Sequence, residues 1–287
     1  MKKIIALLLA LLMVGSLLAA CGTANDDTAD SKAEDKAEAT ADSATADSAT
    51  ADSAETVDDI SVVTERGVLI VGVTDFEPMD YKADGEWVGF DADLAAAFSE
   101  YLGEDMTVEF VEIDWDNKIM ELDGGTVDCI WNGMTLTPEV TSAMSCTDAY
   151  LENSQVVIVN KDVADQYADA EACKSLNFAV ESGSAGQEQA EEYGFAFTEV
   201  KDQATALMEV ASGTCDAAII DLLMAKAMVG EGTGYEQLTY TVSLNSEEYG
   251  VGFRKGSNLT AKCNEFLALA KESGKIDKLT SKYLVKE

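Results

Sequence analysis

The sequence predicts an α/β fold, on three observations: aliphatic runs of strand length, amphipathic helical stretches alternating with them, and a weak repeat of one helix-to-strand phrase. Gly67 to Thr74 (GVLIVGVT) is continuously aliphatic apart from its glycines, as in a parallel strand covered on both faces. Asp91 to Gly103 places Leu94, Ala97, Phe98, Tyr101 and Leu102 on one helical face and stops at glycine. Further strands are predicted at Val108 to Ile113, Thr126 to Met134, Gln155 to Val159, Asn177 to Val180, Cys215 to Ile220 and Tyr249 to Phe253. Helices fall between or after them, at Asn117 to Asp123, Gly186 to Tyr193, Asp202 to Ser212, Leu222 to Val229 and Leu259 to Ser273.

The repeat pairs Ile119 to Trp131 (IMELDGGTVDCIW) with Leu207 to Ile219 (LMEVASGTCDAAI), sharing Met, Glu, Gly, Thr and Asp in register. Chance is the alternative, because helix, glycine, aspartate, strand is a common α/β phrase. If the repeat is structural, the chain holds two equivalent lobes. Gly133 then corresponds to Asp221, each just past the carboxyl end of a strand, where open α/β sheets bind ligands.

What precedes residue 61 reads differently. Lys2 and Lys3 lead an apolar run from Ile4 that ends in Leu18-Ala19-Ala20-Cys21, a secretory signal over residues 1–20. Its last four residues resemble the lipobox of bacterial lipoproteins, which makes Cys21 the lipidated first residue; an ordinary signal peptide with a chance cysteine is the alternative. Residues 21–60 are acidic, without an aromatic residue, and repeat Thr-Ala-Asp-Ser-Ala three times from Thr40. Such a segment cannot offset its ordering entropy and reads as a disordered stalk of about 35 Å reach.

Composition excludes several chemistries. The formal net charge is -35, which repels nucleic acid and anionic lipid and favours cationic ligands. With no histidine, Ser-His-Asp and Cys-His catalysis and HExxH zinc sites are ruled out. The cysteines at 129, 146, 173, 215 and 263 form no CxxC pair, so no metal site is predicted. Cys173 and Cys215 read equally well as a disulfide or as buried thiols. No cofactor is predicted.

Glu181-Ser182-Gly183-Ser184-Ala185-Gly186 follows a predicted strand and opens a helix, so free backbone N–H groups offer an anion site. It lacks the lysine of a P-loop. Together with the segments LIVGVTDFEPMDY, GEWVGFDADLAAAF, NGMTLTPE, DAAIIDLLMA and YGVGFRKGSNL, in that order, this resembles the extracellular solute-binding proteins of ABC importers that capture polar amino acids. The resemblance covers residues 64–287. It implies a two-lobed periplasmic-binding-protein-like fold of type II, each lobe a mostly parallel sheet flanked by helices, joined by two crossover strands near Asn153 to Val157 and Asn245 to Val251. Lobe 1 would hold residues 61–152 and 248–287, and lobe 2 residues 153–247.

By position, the resemblance makes Phe76 and Trp115 the walls around the ligand side chain, with core packing as the alternative for each. Gly133 and Thr135 would bind the ammonium and carboxylate, Ser184, Ala185 and Gly186 the carboxylate, and Asp221 the ammonium. The pattern breaks at Val140, where the family has an arginine gripping the carboxylate; a charge-assisted bond of this kind is worth roughly 10- to 100-fold in affinity. Either Lys118 takes over, or the ligand lacks a free carboxylate there. The implied function is a lipid-anchored monomer on the outer face of the cytoplasmic membrane, passing an amine-bearing ligand to ABC permease subunits without chemistry. A ligand sensor for a membrane receptor is one alternative. A dehydratase on the same fold, using Asp75, Glu77 or Glu181 as acid, is another.

Overall fold

The computed structural model describes residues 56–285, so the signal segment, Cys21 and the stalk as far as residue 55 lie outside the described residues. The folded chain starts earlier than the composition suggested. Val57 N–H donates to Gly256 O at 2.9 Å, and the Asp58 carboxylate caps helix α1 (Asp59–Arg66) by accepting from Ser61 N–H. Four residues assigned to the stalk therefore belong to the fold, because an aspartate N-cap and a buried Val63 give this stretch a helical register that its low hydropathy conceals.

The first half of lobe 1 runs β1 (Val68–Val73), a hairpin of β2 (Tyr81–Ala83) and β3 (Glu86–Val88), α2 (Phe90–Leu102), β4 (Thr107–Glu112), α3 (Lys118–Asp123), β5 (Cys129–Thr135), α4 (Pro138–Ala143), β6 (Ser145–Cys146) and β7 (Leu151–Asn153). Lobe 2 follows with β8 (Gln155–Asn160), β9 (Asn177–Glu181), α5 (Ala185–Tyr193), β10 (Ala196–Val200), α6 (Gln203–Ser212), β11 (Ala217–Asp221), α7 (Leu222–Met228) and β12 (Leu238–Ser243). The chain then returns to lobe 1 as β13 (Glu247–Phe253), α8 (Leu259–Glu272) and α9 (Lys275–Leu279).

The sheets are ordered β4-β1-β5-β13-β6, with β7 beside β13, and β10-β9-β11-β8-β12. Within each, a central strand is flanked in parallel by two others: β1 by β4 and β5, β9 by β10 and β11. The phrase shared by Ile119 to Trp131 and Leu207 to Ile219 thus occupies equivalent places, α3 to β5 and α6 to β11. The expectation of mostly parallel sheets is corrected to mixed sheets. β13 runs antiparallel to β5, β6 and β7, and β8 antiparallel to β11 and β12. The reason is topological: β8 and β13 each enter their sheet by crossing from the other lobe, so they arrive from the opposite end to the βαβ strands.

The described cysteines are free thiols, Cys173 and Cys215 included. Both arginines serve the scaffold. Arg254 donates to Val127 O at 3.0 Å and pairs with Asp59 at 2.9 Å, while Arg66 pairs with Asp128. Asp59 and Asp128 are buried, and the Arg254 side chain is 20% exposed. Removing one partner of a buried pair typically costs about 3–5 kcal/mol, since the other charge stays desolvated. Arg254→Ala should lower the urea midpoint by an amount equivalent to about 3 kcal/mol, and a loss below 1 kcal/mol would show that Asp59 and Asp128 are rehydrated at no cost.

Candidate functional site

The strand ends of the two lobes face a common, narrow cleft whose internal space is about 20 Å³. Lobe 1 contributes Phe76, Trp115, Lys118, Gly133, Thr135 and Val140, and lobe 2 contributes Glu181, Ser184, Ala185 and Asp221. Eight residues expected to bind ligand thus line one cavity, together with Glu181, expected only as an acid. Gly186 lies one residue behind the wall, where a side chain would press to within 3.0 Å of Ile219 O. Asp75 is exposed, and neither it nor Glu77 lines the cleft.

Gly133 is held in an unusual geometry. Its φ is +56°, and a Cβ there would come within 2.5 Å of Phe76 Cε1, so only glycine lets the ring close over the backbone. Its N–H donates at 2.6 Å to Asp91, which also accepts from Tyr150 Oη at 2.8 Å. Burial pushes the Asp91 carboxyl up to about 7 against the pull of these donors. Asp80 behind it is raised well above the usual carboxylate range by burial and by Asp91, and receives Asn132 Nδ2 at 2.8 Å. Asn132 also accepts from Thr74, so the floor of lobe 1 is a connected polar network that fixes the Gly133 peptide.

Opposite it, Ser184 caps α5 by accepting from Gln187 N–H at 3.2 Å. The first N–H groups of α5 have no acceptor within the helix. Gly183, at φ +70°, passes so close to the other lobe that a Cβ would meet Asp116 Cα at 2.8 Å. Across this gap the buried Lys118 Nζ donates to Gly183 O at 2.7 Å and to Trp115 O at 3.4 Å, and stands 5.2 Å from the Trp115 ring centroid. Burial lowers its pKa, opposed by nearby carboxylates of which Glu139 and Glu181 are the strongest. Val140 packs with Trp115, Leu122, Ile130, Met134 and Met144, so the arginine position is filled by an apolar side chain.

Asp221 is buried and accepts from Asn153, Gln203 and Tyr249, and its own N–H donates to Gln203 Oε1 at 2.9 Å. Desolvation, then the charge of Glu247, push its carboxyl up to about 8 despite these donors. Sequence reasoning had named Glu181 only as a candidate acid and had missed Gln203 and Glu188 as cleft residues. Glu181 carried the signal that identified Asp221, an acid closing an apolar strand; the others carried none, since each lines the cleft only through the fold.

The model of the family described as bacterial extracellular solute-binding proteins, family 3, matches residues 69–286. Arginine-binding extracellular protein ArtP of Bacillus subtilis is 30% identical over 76% of this chain and 87% of its own. The ABC transporter glutamine-binding protein GlnH of the same organism is 28% identical over 99% of this chain and 98% of its own. Among solved structures, the ancestral amino acid-binding protein AncCDT-1, a precursor of cyclohexadienyl dehydratase, superposes with a TM-score of 0.72 at 31% identity, covering 79% of this chain and 100% of that one.

Two outcomes follow from this geometry. Gly133→Ala should destabilise the protein by about 1–3 kcal/mol through overpacking against Phe76 and should abolish ligand-induced stabilisation; an unchanged melting temperature would mean the ring moves aside freely. Asp221 is ionised when unfolded above about 4 but holds its proton in the ligand-free fold up to about 8. Folding therefore retains a proton across that window, and stability should fall as pH rises through it, by at most about 1.4 kcal/mol per unit from this group. Asp221→Asn should flatten the decline measured by urea unfolding from pH 4 to 8; an unaltered slope would assign it to other carboxyls.

Proposed function

The chain belongs to the bacterial extracellular solute-binding proteins of family 3, and from this premise we propose that its cleft captures an amino acid and delivers it to an ABC permease. The observation that carries the reading is the apposition, in one cavity, of a buried acid on one strand end with a buried lysine and the start of α5. These are the two charges of an amino acid in mirror image. The ligand ammonium meets Asp221 and the Gly133 carbonyl. Its carboxylate meets the Ser184 hydroxyl, the Ala185 and Gly186 amides and Thr135. Phe76 and Trp115 close over the side chain.

Lys118 answers the missing arginine. Two of its three N–H donors are engaged by the Trp115 and Gly183 carbonyls, and the third remains for a carboxylate beside α5. A compact ammonium grips less well than the two-pronged guanidinium, so the lobe 2 amides carry a larger share here. Binding at Asp221 reverses the effect of burial, because an ammonium favours the ionised carboxylate; a ligand bound near pH 7 releases a proton.

A lipid on Cys21 would hold the domain at the outer face of the membrane, with the stalk giving it reach to the permease, and the domain would act as a monomer. Among the described residues no helix is long and apolar enough to cross a bilayer. The dehydratase alternative loses two of its three acids, since Asp75 and Glu77 do not line the cleft.

A thermal-shift panel on refolded, ligand-stripped protein tests this reading, because ligand at 100 times its Kd adds about 2.7 kcal/mol to stability. Free amino acids should raise the midpoint while their amides do not, and Lys118→Ala should weaken the free acids about 10-fold or more. Equal shifts from acids and amides would remove the carboxylate from the reading.

A further inference from the structure

Resting on the amino-acid reading, we propose that Glu181 is a second cation receptor in this cleft, one that selects amino acids whose side chain is positively charged. Glu181 closes β9, is 3% exposed and lines the cleft. Its Oε1 has no hydrogen-bond partner among the described residues. The carboxyl interacts with the Gln203 side chain, the same group that bonds Asp221. Two buried acids thus stand on either side of one amide, each disfavouring the charge of the other.

A zwitterion alone leaves this arrangement incomplete. Its ammonium matches Asp221, its carboxylate matches Lys118 and α5, and Glu181 is still buried with an open acceptor. The cleft walls hold four carboxyl groups, on Glu139, Glu181, Glu188 and Asp221, against the single cation of Lys118. A guanidinium or ammonium on the ligand side chain supplies both the donors that Glu181 lacks and the missing positive charge. The Phe76 and Trp115 rings suit the same group, since an aromatic face attracts a desolvated cation, and Trp115 already has the Lys118 ammonium near its ring. The overall charge of -35 raises the local concentration of cationic ligands at the mouth.

The competing occupant is a neutral amide side chain, to which a protonated Glu181 would donate. Titration calorimetry with arginine and its neutral isostere citrulline, and with lysine and glutamine, separates the two. The charged members should bind at least 10-fold tighter than the neutral ones to the unmodified protein. Glu181→Gln should weaken arginine by about 10- to 100-fold and leave citrulline within about threefold. Glu181→Gln is isosteric, and its melting temperature should not fall, because it removes a buried carboxyl whose Oε1 has no hydrogen-bond partner among the described residues. If the variant does fail to fold, the charged-to-neutral preference of the unmodified protein decides the matter by itself. Citrulline or glutamine binding as tightly as arginine, or an unchanged arginine affinity in Glu181→Gln, overturns the proposal while leaving the amino-acid reading standing. Absence of binding by every amino acid in the folded protein overturns both.

Discussion

The carboxyl group of Asp221 is the point on which the cleft turns, because its partners come from both places where the chain passes between lobes. Asn153 ends β7 and precedes the first crossing; Tyr249 lies in β13, just after the second. Asn153 also donates to Glu247 at 2.7 Å, and Glu247 receives Gln155 Nε2 at 2.9 Å and Asn245 Nδ2 at 2.9 Å. One hydrogen-bonded network therefore contains the buried acid that lines the cleft and the polar side chains of both crossover segments. Such networks have few satisfied arrangements, so a rotation of one lobe against the other must break or exchange bonds that hold Asp221. An ionised Asp221, paired with a ligand cation, accepts those bonds more strongly than a neutral one. Ligand charge and lobe geometry are thus two readings of the same network.

The lobe 1 wall solves a different problem. It holds the Gly133 peptide at a positive φ within β5, and does so with Asp91 on its N–H and with Asn132 and Asp80 behind it. This scaffold is acidic too, and so are the partners of both arginines. Arg66 and Arg254 are spent on Asp59 and Asp128 at the N-terminal edge of the lobe, which leaves lysine as the cation available to the cleft. Lys118 bridges the lobes through Gly183 O, so the group that would meet a carboxylate also ties the two lobes to each other.

Much of this was legible in sequence, for identifiable reasons. The βαβ strands are buried on both faces and announce themselves as aliphatic runs, and the glycine stops and aspartate caps mark the helices between. β10 and β12 were not predicted: each lies at an edge of its sheet with a half-exposed, polar-interrupted pattern that one face of an edge strand dictates. That β8 and β13 run antiparallel to their neighbours was not legible, because hydropathy reports that a strand is buried and not which way its neighbour runs. At the site, Asp75 and Glu77 were drawn in by adjacency to Phe76. The chain leaves the strand there for a tight turn, with Phe76 N–H donating to Asp80 O at 2.7 Å, so neighbours in sequence do not share the ring's surroundings.

Glu181 and Asp221 show how far the strand-end rule reaches. β9 and β11 are adjacent and parallel, and each is an apolar run closed by an acid at its carboxyl end. Parallel neighbours lie about 4.8 Å apart, and although the register sets Glu181 level with Ile220, one residue short of Asp221, both carboxyls reach the Gln203 side chain. Elsewhere in a sheet, adjacent acids at matched ends would be a defect, since like charges in a dry interior repel and neither can be fully solvated. Here the ends open on a cleft, and the Gln203 side chain bonds both carboxyls. Among the described cleft residues the cation is Lys118, whose charge favours the ionised Glu181 but whose hydrogen bonds go to the Gly183 and Trp115 carbonyls. A further cation for Glu181 would have to come with a ligand, which would then complete the electrostatics of lobe 2.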